Sequence, residues 1–270
     1  DSRQAQGRVI YHNNDILRLL REEESKQNKS LQNSDFNLMP EIAIWKNVYR
    51  DFGSNPREYC SSVEALLRRV RTGSQIHQIN NLVDLYNYLS IKYHVPAGAE
   101  DLDKVVGDIT LSFSNGTESG KYIGSEETDT CYKDEVIYKD EAGFICRRWN
   151  WREGDRTKIE DTTQNAVLVF EAMPPVTNEQ LQIVMDESCQ LIKKYLGGEQ
   201  KIFVLSKTTP LMEIPFKTGT KAKSSVILGS EVTPESDSGQ ARMTKDQSNK
   251  KPKLVGISVK HLKEINLEIK

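Results

Sequence analysis

Pro96 separates two hydrophobic periods, and that change limits the fold more than any other feature of the chain. Before it, apolar residues recur at the three-to-four-residue spacing of a helix face; after it they alternate or run together, as strands do. Helices first and strands later describe an α+β domain better than a regular βαβ alternation.

Asn14 or Asp15 can cap a short helix carrying Ile16, Leu17, Leu19 and Leu20, and the polar stretch from Glu22 to Asn37 predicts a loop after it. Pro40 opens a second helix with Ile42, Trp45, Tyr49 and Phe52 on its apolar side, and Gly53 stops it. Ser61 and Glu64 have capping-box spacing before Val63, Leu66, Leu67 and Val70. Arg68, Arg69 and Arg71 follow in the last turn, where cations suit the helix dipole and could also meet phosphate. The helix from about Asn81 to Tyr93 has an apolar stripe of Leu82, Leu85, Tyr86 and Leu89. A second stripe of Asn80, Asp84 and Asn87 points to side-chain bonding with a loop or ligand, or to a solvated face.

Beyond Pro96, strands are expected at Ile109–Phe113, Val136–Tyr138, Phe144–Trp151 and Val167–Phe170, and a buried strand at Ile202–Leu205. Thr177 and Gln180 box the start of a helix closed by Gly197 and Gly198. The Ser, Thr, Gly and Lys content of 217–253 predicts a mobile linker, with a strand candidate at Leu254–Val259. The chain divides into a helix and polar loop over 1–39, a main domain over 40–216, and a linker with a short C-terminal segment over 217–270.

A formal net charge of -2 excludes a global basic field, so any nucleic-acid contact must be local. Cys60, Cys131, Cys146 and Cys189 form no C-x-x-C pair, which argues against a zinc knuckle or a disulfide framework and for a reducing, cytoplasmic setting. No apolar run approaches a membrane span, and the start at Asp1 is compatible with a fragment or a processed product. His12, His77, His94 and His261 lack metal-ligand spacing, so no metal or cofactor is expected, and His94 suits a helix C-terminus. Gly116–Lys121 is one residue short of a phosphate loop and reads as a turn between strands.

The densest use of rare residues is Cys146, Arg147, Arg148, Trp149, Asn150, Trp151 and Arg152, followed by Asp155, Arg156 and Thr157. As a strand it would put Arg147, Trp149 and Trp151 on one face and Arg148 and Asn150 on the other. Guanidinium groups pair with phosphate and indoles stack on bases, so a nucleotide or an RNA end fits; so does a sheet surface of cation–π stacks with nothing bound.

Ile79–Tyr88, then Pro96, then Asp101–Lys104 together resemble the editing module of the phenylalanyl-tRNA synthetase beta subunit. Trp45–Arg71 and Arg147–Thr157 resemble its free-standing relatives, and the likeness covers roughly 40–205. It implies a mixed sheet or sandwich with flanking helices, and hydrolysis of an amino acid wrongly attached to tRNA. The family motif has histidine where this chain has Gly98, and a glycine-rich segment where this chain has the Arg and Trp ribbon. What carries over is Asn80, Asn81, Asp84 and Asn87 at a pocket wall, with Thr163.

Three functions follow as expectations: a stand-alone deacylase of mischarged tRNA, a module that binds a tRNA end without cleaving it, or a piece of a synthetase beta-type chain. In the first, Trp149 and Trp151 stack the terminal adenine or the amino-acid ring, with Asn150 beside them. Arg147, Arg148, Arg152 and Arg156 hold phosphate, and Asn81, Asp84 or Glu153 orders the attacking water.

Overall fold

Four helices open the chain: α1 (Asn14–Gln32), α2 (Pro40–Asp51), α3 (Ser62–Arg71) and α4 (Asn81–Tyr93). The computed structural model describes residues 13–32, 34–206, 209–215, 225–232 and 257–262. The expected loop from Glu22 is helical as far as Gln32, and α1 packs on α3 and α4 with Ile16, Leu20 and Leu31 in the core. In its polar second half Glu23, Glu24 and Gln27 are buried because they have partners. Glu24 accepts from the Arg21 guanidinium (2.6 Å) and the Ile76 N–H (2.7 Å), while Gln27 donates Nε2 to Glu23 (2.7 Å) and meets His94 Nε2 through its Oε1 (3.0 Å).

The caps explain the other helices. Ser61 accepts the Glu64 N–H, but the Glu64 carboxylate pairs with Arg68 (2.5 Å) and Lys46 (3.3 Å), so the expected reciprocal box does not close. At Thr177 and Gln180 both halves of the box form, opening α5 (Asn178–Tyr195). His94 ends α4 in the left-handed conformation, as its position suggested.

The strands in chain order are β1 (Ala97–Asp101), β2 (Ile109–Phe113), β3 (Ser119–Lys121), β4 (Thr128–Thr130), β5 (Val136–Asp140), β6 (Gly143–Arg147), β7 (Arg152–Glu153), β8 (Asn165–Ala172), β9 (Glu199–Ser206), β10 (Leu211–Pro215), β11 (Ser225–Val232) and β12 (Ile257–Leu262). One sheet has the order β1-β8-β11-β9, a second β10-β12-β2-β5-β6-β7, and β3 pairs with β4. The fold is α+β, as expected.

β11 lies in the span whose composition predicts a linker, and it pairs in parallel with both β8 and β9; most of 217–253 falls outside the described residues. β12 begins at Ile257, so the first part of the Leu254–Val259 expectation also lies outside them. Ile202 and Val204 are exposed, so β9 is not the buried strand its composition implied; of that run Leu205 alone is buried. Among the described residues no helix is long and apolar enough to cross a membrane.

Register positions the site. β1 runs antiparallel to β8 with Gly98 opposite Val169 and Glu100 opposite Val167. Period two therefore puts Gly98, Glu100, Val167, Val169 and Glu171 on one face, with Ala99, Leu168 and Phe170 on the other. Residues of β2, β5 and β6 meet the first of these faces, so a space remains between the two sheets.

Candidate functional site

The Arg and Trp ribbon is not one strand. β6 ends at Arg147, and Arg148 and Trp149 adopt left-handed backbone angles, with φ of 47° and 68°. Such a conformation costs a residue with a Cβ about 1–2 kcal/mol. It is held by the Trp149 N–H on the Val136 carbonyl (2.8 Å), the Trp151 N–H on the Arg147 carbonyl (3.1 Å) and the Arg148 N–H on Glu135 Oε1 (3.1 Å). The turn breaks the expected alternation and sends side chains inward.

Most of the expected phosphate ligands are already paired. Arg147 is 1% exposed and grips Glu135 through Nε (2.8 Å) and Nη2 (2.6 Å), with Nη1 on Asp129 (2.5 Å). Arg148 is buried, its guanidinium 3.6 Å from the Tyr59 ring centre and 4.8 Å from that of Trp151. Arg156 donates to Asp140 (2.6 Å) and to the Lys104 carbonyl (2.8 Å). These three are structural, because moving any of them to a phosphate would strand a carboxylate or an aromatic shelf. Arg152 is exposed, over Trp151 and Tyr122.

Nor do the indoles form an open stacking platform. Trp149 is 2% exposed, edge-on to Trp45, with its N–H on Glu171 Oε1 (2.6 Å). Trp151 is half-buried, edge-on to Tyr59 and Tyr122. Asn150 links three elements: its carbonyl accepts from the Ser62 N–H (2.9 Å), its Oδ1 from the Tyr49 hydroxyl (3.0 Å), and its Nδ2 donates to Glu171 (2.5 Å).

The polar stripe of α4 has a similar outcome. Asn80 caps the helix and reaches the Ile159 carbonyl (3.4 Å); Asn81 Oδ1 accepts the Asn13 N–H (2.7 Å); Asp84 is buried and accepts the Ile79 N–H (2.9 Å). Thr163 donates to Asp101 (2.7 Å), and Asn87 is half-buried on the next turn. The three α4 partners of known bonding hold the start of the helix to its neighbours, which removes the motive for giving Asn81 or Asp84 the attacking water.

The space between the sheets is a cavity of about 70 Å³. Its walls are largely apolar, from Ile109, Ile145, Val167, Val169, Leu205 and Met212, yet Glu100, Glu153 and Glu171 enter it together with Cys146, Tyr138, Trp149 and Asn150. Glu171 has donors on both oxygens from Tyr138 (2.8 Å), Trp149 and Asn150, and burial still pushes its carboxyl up to about 7.

Glu100 and Glu153 are less well served than Glu171: they meet each other, with the Thr157 hydroxyl beside Glu100 and the Cys146 thiol beside Glu153. Burial, and then the Glu153 charge, drive Glu100 well above the ordinary carboxylate range; burial raises Glu153 as well. Each carboxyl disfavours ionisation of the other, so the two titrate as a pair that resists losing its last proton. Oε2 of each is buried without a hydrogen-bond partner among the described residues. Gly98 makes room for this arrangement: a Cβ there would stand 2.7 Å from Glu153 Oε1. Burial beside Glu153 also raises the Cys146 thiol, so it is no ready nucleophile. Among the described residues no group of three or more His, Cys, Asp or Glu could hold a metal ion.

Of the expected site residues, Trp149, Asn150 and Glu153 line this cavity. Sequence reasoning missed Glu100, Glu171, Tyr138 and Cys146. One signal was present: Glu171 shares the face of Val167 and Val169, an acid at the inward period of an apolar strand.

Residues 44–197 match the B3/4 domain, and the chain belongs to that family. It is 31% identical over 99 residues to the phenylalanine–tRNA ligase beta subunit of Psychrobacter arcticus, and 30% identical over 95 residues to that of Shewanella oneidensis. These stretches are 37% and 35% of this chain but 12% of either subunit, so the chain corresponds to a small part of those relatives.

Proposed function

We propose that this chain hydrolyses the ester of a mischarged aminoacyl-tRNA at the Glu100–Glu153 cavity, acting apart from the other parts of a ligase. The observation that carries the reading is the Glu153 carboxylate standing where a side chain on Gly98 would begin, in a chain related to tRNA ligase beta subunits. The family resemblance has histidine at that position; here a polar group reaches the same space from β7.

An aminoacyl ester is already activated, so a positioned water and a modest base supply much of the acceleration. Burial beside Glu100 makes Glu153 more basic than a solvated carboxylate. Its carboxylate takes a proton from water as the water oxygen bonds to the ester carbonyl carbon. The carbonyl then re-forms as the carbon–ribose oxygen bond breaks, and the ribose oxygen leaves with the proton that Glu153 took, which restores the carboxylate. Such chemistry needs no cofactor. Exposed Arg152, beside Glu153 in sequence, is the ribbon residue available to a tRNA phosphate near the 3′ end. The substrate implies a cytoplasmic setting.

Purified protein incubated with a panel of mischarged tRNAs tests the reading. Ester loss above the spontaneous rate is expected for at least one member; no acceleration for any of them rejects hydrolysis. Binding without cleavage is the second reading, favoured by the glycine at position 98, and tRNA retention with no ester loss would select it.

A further inference from the structure

We propose that Glu100 and Glu153 form a receptor for a primary ammonium group, which on entering displaces the proton the two carboxyls share. The inference rests on the reading of this cavity as the aminoacyl site and names what the cavity recognises: the α-ammonium of the amino-acid ester.

The geometry carries it. Glu100 is 7% exposed, both residues line the cavity, and Oε2 of each is buried and unpartnered among the described residues. An unpartnered buried acceptor is costly, and two of them on neighbouring residues that line one largely apolar space suit a multiple donor. An ammonium group carries three N–H donors and the charge the pair lacks. Neutral water would satisfy the acceptors and leave the charge problem in place.

Among the described residues, Arg156 is the cation found to act on the pair. Tyr86 of α4, Cys146 of β6 and Glu171 of β8 face the pair, and none of them is basic. The cation whose field reaches Glu100 is Arg156, and that guanidinium is bound to Asp140 and the Lys104 carbonyl. Much of the remaining wall is apolar, from Ile109, Ile145, Val167, Val169, Leu205 and Met212, and about 70 Å³ suits an ammonium on a small carbon body.

Charge balances. The pair with its shared proton carries one negative charge; when the ammonium enters, the proton leaves to solvent, and two carboxylates plus one ammonium again sum to one negative charge. The consequence for hydrolysis is direct. In an aminoacyl ester the ammonium sits one carbon from the carbonyl, so the substrate that binds also leaves Glu153 ionised beside the carbon to be attacked.

The test uses the full chain and two stable probes: the alanyl amide of 3′-amino-3′-deoxyadenosine, and its propionyl counterpart, which lacks only the amine. Calorimetry near pH 7 in two buffers of different ionisation enthalpy reads affinity and proton release together. The alanyl amide should bind at least about tenfold more tightly, the size of a charged hydrogen bond, and release a proton that the propionyl amide does not. Glu100→Gln and Glu153→Gln keep the shape of the site, and each should abolish both the preference and the proton release; a melt confirms folding. Equal binding of the two amides without proton release overturns the receptor while leaving the cavity as the aminoacyl site. Failure of both amides to bind overturns the cavity reading and the receptor with it.

Discussion

The Arg147–Arg152 turn and the Glu100–Glu153 cavity lie next to each other in the chain and are electrostatic opposites. In the turn, cations are buried against partners: Arg147 against Glu135, with exposed Asp129 on its outer nitrogen, and Arg148 over the Tyr59 ring. In the cavity, like charges are buried together and two oxygens have no partner among the described residues. A complete ion pair has nothing left to offer a ligand, whereas an incomplete one does. Conspicuous composition therefore marked a structural brace, and the inconspicuous acids beside it mark the site.

The largest expected effect is on the brace. Arg147→Ala strands the buried Glu135 carboxylate and should cost about 3–5 kcal/mol in denaturant unfolding, the range for breaking a buried pair. A loss below about 1 kcal/mol, the value of a surface pair, would mean that the turn is not held as described. Trp149→Phe is milder. It keeps a ring against Trp45 but removes the N–H on Glu171, and should destabilise by about 1–3 kcal/mol.

The cavity should respond to pH with the opposite sign to an ordinary salt bridge. Glu100, Glu153 and Glu171 have raised folded-state values, so the folded chain binds more protons than the unfolded one between the ordinary glutamate range and the raised values. Stability from these groups is full below the unfolded value and is lost as pH rises through the folded one, about 7 for Glu171. These three carboxyls therefore pull the melting temperature down from pH 5 to pH 8, against buried His94, whose lowered value adds stability as pH rises. Glu100→Gln should weaken the downward pull and be more stable than the wild type at pH 8. A wild-type profile that matches that of Glu100→Gln over this interval would contradict the shared proton.

The smallest effect belongs to Arg152, the exposed member of the ribbon. Arg152→Ala should change stability by less than about 1 kcal/mol, while lowering the salt dependence of tRNA binding by about one counterion. An unchanged salt slope would remove the ribbon from the RNA surface.

The same contrast explains what could be read from sequence. Helices with a clear start signal and a clean apolar stripe, such as α2 behind Pro40 and α5 behind its capping box, were legible because local signals agree with burial. The second half of α1 was not, since Glu24 and Gln27 look like solvent-facing residues until their distant partners, the Ile76 N–H and His94, are known. The ribbon failed as a strand because two left-handed residues reset the alternation, and arginine and tryptophan advertise no such turn. Glu153 was named for its chemistry. Its partner Glu100 was missed, because their proximity depends on β1 facing the β6–β7 turn across the sandwich, a long-range fact no spacing encodes.

The most direct measurement is single-turnover hydrolysis of a mischarged tRNA that the wild type accepts, followed side by side for Glu153→Gln and Arg152→Ala. Loss of the base should slow the Glu153→Gln reaction by about 10²-fold or more at saturating protein, whereas Arg152→Ala should reach nearly the wild-type rate once bound. A Glu153→Gln rate equal to the wild type, or a larger loss at Arg152, would contradict the assignment of the chemistry to the carboxylate cavity.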